Sequence, residues 1–198
     1  MTLAWLLISN LIPLVGVALL GWSLLALLMT YWLENGVIGY YNIKKLQRVP
    51  GETRAVPPPF TKIQFFALHY GIFWFVHGVF VLALFGSGAL GETGGLGWWG
   101  FLGVLAGGYA YFVSHGAAYR EEYVGARQYL HTTPARQMFA PYGRVLVLHL
   151  TLLGGAFAAA WLGTPLIALV ILVTLKLLFD LSVHLRQRQR GAGFVGGR

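Results

Sequence analysis

The sequence holds no cysteine, so metal ligation and acid–base chemistry fall to six histidines and six carboxylates. Glu34, His69, His77, His115, His149, Asp180 and His184, together with Lys176, sit inside long apolar runs. Two or three imidazoles with one carboxylate suit zinc, iron or copper, and an open coordination position would allow chemistry. His69, His149 and Asp180 form the candidate ligand set, with His115 as a possible fourth. Lys176, Asp180 and His184 recur at i, i+4 and i+8 and so lie along one helix face. Glu34, Asn35, Lys176, Asp180, His184 and His77 outline a candidate polar chamber, with Glu34 opposite Lys176. The same groups could instead relay protons for a small carrier or channel. As a third reading, they could lock helices together by hydrogen bonds in a structural or accessory subunit.

Other chemistries fit less well. A b-type haem needs two histidines at equal depth on facing helices, and His69 with His149 is the one pair that qualifies. Phe85-Gly86-Ser87-Gly88 lacks the leading glycine of a nucleophile turn, Ser114 and His115 are adjacent and do not face each other, and no HExxH stretch occurs.

The elements that must position these residues follow from composition. Of 198 residues, 57% are hydrophobic and 10% charged, where a soluble domain carries about a quarter charged. A chain this small cannot hide so much apolar surface in one aqueous core. Charge-free runs of the length that crosses a bilayer recur, and they are continuous rather than alternating, which selects helices over a barrel. The net charge of +8 is not spread as nucleic-acid binding would require. Basic residues fall into three clusters, Lys44 to Lys62, Arg120 to Arg144 and Arg186 to Arg198, with Lys176 alone outside them. That is the positive-inside pattern, and it assigns the three clusters to the cytoplasm.

The fold class expected is therefore all-α, an integral membrane bundle of about six transmembrane helices over residues 1–187. The cytoplasmic tail, 188–198, should be disordered. As one helix, residues 3–43 would span about 60 Å, twice the bilayer core, so a turn is required near Gly16–Gly21. The first helix, 2–16, is short enough to re-enter rather than span. Having no basic residue before it, it reads as a retained helix rather than a signal. Further helices are expected over 21–47, 60–86, 97–119, 143–162 and 165–187, with a surface helix at 119–134. Both termini then face the cytoplasm. Gly103 and Gly107, and Gly154 with Gly155, Ala158 and Ala159, supply small faces for close packing. The expected partners are the lipid bilayer and, as an option, a second copy of the chain.

Counting from the nearest basic residue at about 1.5 Å per residue puts His69, His115, His149 and Asp180 roughly 8–10 Å inside the cytoplasmic boundary. Glu34 and Lys176 come out roughly 15 Å deep, and His77 about 12 Å beyond His69. Ionisable groups at such depths are costly and should turn toward one another. Tyr40, Tyr41, Tyr70, Trp74 and Trp32 supply aromatic lining or interface anchors.

Four stretches spread over nearly the whole chain carry a resemblance. They are Tyr31-Trp32-Leu33-Glu34-Asn35 with Gly39 and Asn42, and His69-Tyr70-Gly71-Ile72-Phe73 through His77-Gly78. The others are Phe139-Ala140-Pro141-Tyr142-Gly143-Arg144 through His149, and Lys176 with Asp180 and His184. In these the sequence resembles a family of multi-pass bacterial membrane proteins known as a domain of unknown function. The resemblance implies a bacterial inner-membrane location and supplies no activity.

Overall fold

The computed structural model describes residues 23–51, 61–87, 96–143, 145–146 and 149–150, and the single positions 174, 178 and 182. Lys176, Asp180, His184, the expected first helix and the small faces near Gly154 lie outside the described residues. Within them the protein is all-helical.

Three of the four α-helices among the described residues start where a side chain serves an open amide, and the one at Trp98 starts at Gly97 without such a cap. Helix α1, Leu24–Leu46, begins at Ser23, whose hydroxyl accepts from the Ala26 N–H at 3.2 Å. It ends in Lys44 and Lys45, which oppose the negative end of the helix dipole. Helix α2, Lys62–Val81, begins with a capping box between Thr61 and Gln64 and runs on as a π-helical turn, Leu82–Gly86. Helix α3, Trp98–Ala118, passes into a second π-helical turn, Tyr119–Gly125. The surface helix expected over 119–134 is thus replaced. Arg127 takes a left-handed backbone (φ 51°), a 3-10 turn covers Gln128–His131, and short helix α4, Pro134–Phe139, starts at Thr133. Proline at its first position, where no amide partner is needed, sets that start. The chain is helical again at 142–143, 145–146 and 149–150.

Contacts fix the directions. Ala26 meets Gly100, Thr30 meets Gly107 and Tyr41 meets Gly116, in rising order on both chains, so α1 and α3 run parallel. Helix α2 runs against them, with Trp32 on Gly78 and Trp74 on Gly36. The ends bearing Lys44, Lys45, Arg48, Lys62 and Arg120 therefore fall on one side. Of the two glycines expected to form a small face on α3, Gly103 is buried and Gly107 lies against Thr30.

Between α1 and α2 sits a reciprocal indole clasp. Trp32 Nε1 donates to the Trp74 carbonyl at 2.8 Å, and Trp74 Nε1 donates to the Trp32 carbonyl at 2.9 Å. The rings stack at 4.3 Å, 8° from parallel. One turn further along each helix a glycine makes room for the opposite ring. A Cβ at Gly78 would stand 2.8 Å from Trp32, and one at Gly36 would stand 3.0 Å from Trp74. The local arrangement is thus a near two-fold, with tryptophan and glycine four residues apart on each strand of the pair. Above it Leu25, Leu27, Leu28, Tyr31, Val81 and Phe85 form one apolar cluster; below it Leu46, Phe66, Tyr70, Met138 and Val145 form another.

The clasp makes a clear forecast. Gly78→Ala should destabilise the purified protein by about 1–3 kcal/mol, because the indole cannot retreat without losing its hydrogen bond. Gly71→Ala, on the same helix with nothing within 4 Å of a Cβ, should cost nothing. Thermal denaturation of the two variants compares them directly, and equal losses would rule the clasp out as the determinant.

Candidate functional site

The polar residues of the interior are organised in pairs, each joining two elements. Glu34, buried on α1, faces His115 on α3, with Oε1 3.8 Å from Nε2. This is an ion pair whenever the imidazole is protonated. Lys176, the partner expected from the sequence, lies outside the described residues. His115 accordingly stands with Glu34 and not with His69 or His149.

His77 on α2 is buried, and its ring contacts that of His149, with centroids 4.4 Å apart. His77 Nδ1 lies 3.0 Å from the Phe73 carbonyl one turn back. A carbonyl only accepts, so Nδ1 carries the hydrogen and Nε2 presents its lone pair. That lone pair faces His149 Nδ1, which must then be the donor. The tautomers of both neutral rings follow from the one peptide carbonyl. The Phe73 ring closes over the pair, 4.5 Å from His77 and 5.5 Å from His149.

His69 is exposed and bonds elsewhere, its Nδ1 2.8 Å from the Tyr142 hydroxyl. Sequence counting put His69 and His149 at one depth. They are instead on successive rungs, His69 with Tyr142 and His77 with His149. Eight residues separate the two histidines on α2 and seven separate Tyr142 from His149, two turns in each case. Arg144 was the wrong depth marker, because the chain already meets His69 at Tyr142. The two rungs keep His69 and His149 about 12 Å apart along the axis, which removes the geometry a shared ion or haem would require of that pair. Among the described residues no three His, Asp or Glu side chains converge. What the His77–His149 pair can do is hold and pass a proton, or present one nitrogen from each ring to a metal ion.

Asn35 spends its side-chain amide on its own helix, donating to the Tyr31 carbonyl at 2.9 Å, while its own carbonyl accepts from Tyr70 at 3.0 Å. A network that sequence reading missed ties α1 to α4. Gln137 Nε2 donates to Asn42 Oδ1 at 2.7 Å, and the Tyr123 hydroxyl bonds Gln137 Oε1 at 3.2 Å. All three are buried. The available signal was two uncharged polar residues, Asn42 between Tyr41 and Ile43 and Gln137 before Met138 and Phe139. Tyr123 lies under the Lys45 ammonium, 5.1 Å from its ring centre.

Burial, with neighbouring Tyr119 second, pushes the Tyr123 phenol up to about 12. Its neutral form is the one the fold favours. The stabilisation is therefore complete below the ordinary phenol value near 10 and is lost as pH rises through about 12. Subtracting the alkaline absorbance titration of Tyr123→Phe from that of the unaltered protein should leave one phenol ionising near 12. A difference curve centred near 10 would contradict the buried network.

These features define an all-helical protein whose interior polar side chains bond mainly from one helix to another. The chain belongs to the DUF6498 family, a family of unknown function, whose family model matches residues 1–193. No curated protein and no solved structure matches it.

Proposed function

We propose that this chain is a multi-pass protein of the bacterial cytoplasmic membrane, a bundle of about six spans, acting as a small proton-coupled carrier with the His77–His149 pair as its proton-binding element. The observation that carries the reading is a buried imidazole, His77, on Lys62–Gly86, the helix long and apolar enough to cross a membrane, in contact with the partly buried His149. Only 28% of the most apolar window of that helix is buried. Leu68, Ile72, Phe75, Val79 and Phe80 face outward, while His77 and Gly78 face in. On α3 the inversion repeats: Gly100, Gly103 and Gly107 are inside, and Trp98, Trp99, Phe101 and Leu105 are outside. A soluble protein does not expose apolar side chains on that scale, whereas lipid favours it. The basic ends of α1, α2 and α3 lie together, as positive-inside orientation requires.

Within such a bundle a titratable pair is costly unless it is used. The two rings share one hydrogen in a bond whose acceptor, His77 Nε2, is fixed by the Phe73 carbonyl. An added proton must then enter at the free Nε2 of His149, and passing the shared hydrogen on to His77 Nε2 moves the charge to α2 and reverses which ring donates. That gives two arrangements of one interhelical contact, the element a coupled carrier needs. The Glu34–His115 pair can take up a proton in the same way between α1 and α3.

Proteoliposomes loaded with a pH-sensitive dye test the proposal. Under an imposed pH gradient and a panel of small solutes, the unaltered protein should carry protons inward with at least one of them. His149→Ala should abolish that flux and His69→Ala should keep it. Flux that survives His149→Ala, or none under any condition, would refute the proton-binding role.

A further inference from the structure

We infer that the cytoplasmic-side end of α1 holds a binding site for a phosphate-bearing anion, lined by Lys44, Gln47, Arg48, Tyr119 and Tyr129. These five residues surround an open depression of about 470 Å³. None of them belongs to the histidine pair, and the site stands on its own lining whatever the activity of the protein.

The lining is made of hydrogen-bond donors. Lys44 supplies an ammonium, Gln47 an amide and Arg48 a guanidinium, with two phenols opposite. Lys44 stands in the last turn of α1 and Arg48 two residues past its end, and both line the same depression. Neither pairs with a carboxylate among the described residues. The Lys44 ammonium stands over the Tyr40 ring, 5.7 Å from its centre. Arg48 uses Nε alone, donating to the Tyr119 hydroxyl at 3.1 Å, which fixes the plane of the guanidinium. Its two terminal nitrogens are thereby left as a fork beside Lys44. A guanidinium fork next to an ammonium is the donor set that suits a tetrahedral phosphate oxyanion.

Lys44 and Lys45 both stand in the last turn, where the helix dipole favours them, and Lys45 is turned over the Tyr123 ring. Arg48, beyond the helix end, adds a further positive charge on the same rim as Lys44. Tyr119 acts as a hinge pin between them, since its hydroxyl accepts from Arg48 and lies 3.5 Å from the Lys44 carbonyl. At the end of a spanning helix the phosphate could come from an anionic lipid headgroup or from a soluble phosphate compound. The chemistry at the pocket is the same.

Purified protein in neutral detergent separates the two sources. Native mass spectrometry with added phosphatidylglycerol, against phosphatidylcholine, reads the lipid arm; thermal shift with glycerol 3-phosphate reads the soluble arm. At least one phosphate probe should bind one per chain and saturate. Lys44→Gln with Arg48→Gln should weaken it about tenfold or more, since two charge-assisted contacts are lost. Arg48→Lys, keeping the charge without the fork, should fall between. Arg136→Gln, a basic residue outside the pocket, should bind normally. Phosphatidylglycerol alone binding assigns a headgroup site, and glycerol 3-phosphate binding assigns a soluble ligand. Binding of neither, or binding that Arg136→Gln weakens as much as the double variant, would overturn the assignment. The melting temperatures of the variants without ligand separate lost binding from lost fold.

Discussion

Two indole N–H groups and two peptide carbonyls set the distance between α1 and α2, and the other interior contacts depend on that distance. An indole nitrogen buried between apolar helices has to find an acceptor, and each tryptophan finds the other's backbone. The bond forms only if the ring can lie flat on the opposing helix, which is why Gly36 and Gly78 sit one turn beyond each tryptophan. With the helices held at that separation, the Tyr70 hydroxyl reaches the Asn35 carbonyl. His77, one residue before Gly78, meets His149.

The same rule, that a polar group in an apolar interior must be answered by another, produces the pairing seen throughout. Glu34 answers His115, His77 answers His149, Asn42 answers Gln137, and Tyr142 answers the outlying His69. None of these is a surface ion pair of the kind that contributes little. All but the exposed His69–Tyr142 contact are at least partly buried, and leaving one buried partner alone would cost roughly 1–3 kcal/mol or more. Fixing helix packing and binding a proton are therefore not competing roles for His77. A residue that must be paired to be buried becomes sensitive to protonation because its partner is also titratable.

Much of the helical architecture was legible in the chain. The apolar runs gave α1, α2 and α3 to within a few residues, and Gly103 with Gly107 marked an inward face of α3. The polar residues worth attention were also visible, because few of them interrupt those runs. Their partners were not visible, because depth along a helix says nothing of direction around it. Trp32 and Trp74 looked like lining, although the tryptophan and glycine four residues apart on both helices was a readable sign of a matched clasp. The assignment of His149 to the level of His69 failed for a specific reason: the nearest arginine marked charge, not the point where the segment enters the bundle. The irregular course over 119–134 was hidden too, since nothing in its alternating tyrosines and charges announces a π-turn or a left-handed Arg127.

The pairing of His77 with His149 is open to a direct geometric measurement, because the chain has no cysteine of its own. Cysteines placed at 77 and 149 together should be joined in high yield by a short bifunctional thiol reagent. Cysteines at 69 and 149, two helical turns out of step, should not. Joining of the second pair and not the first would contradict the register on which the proton-binding role rests.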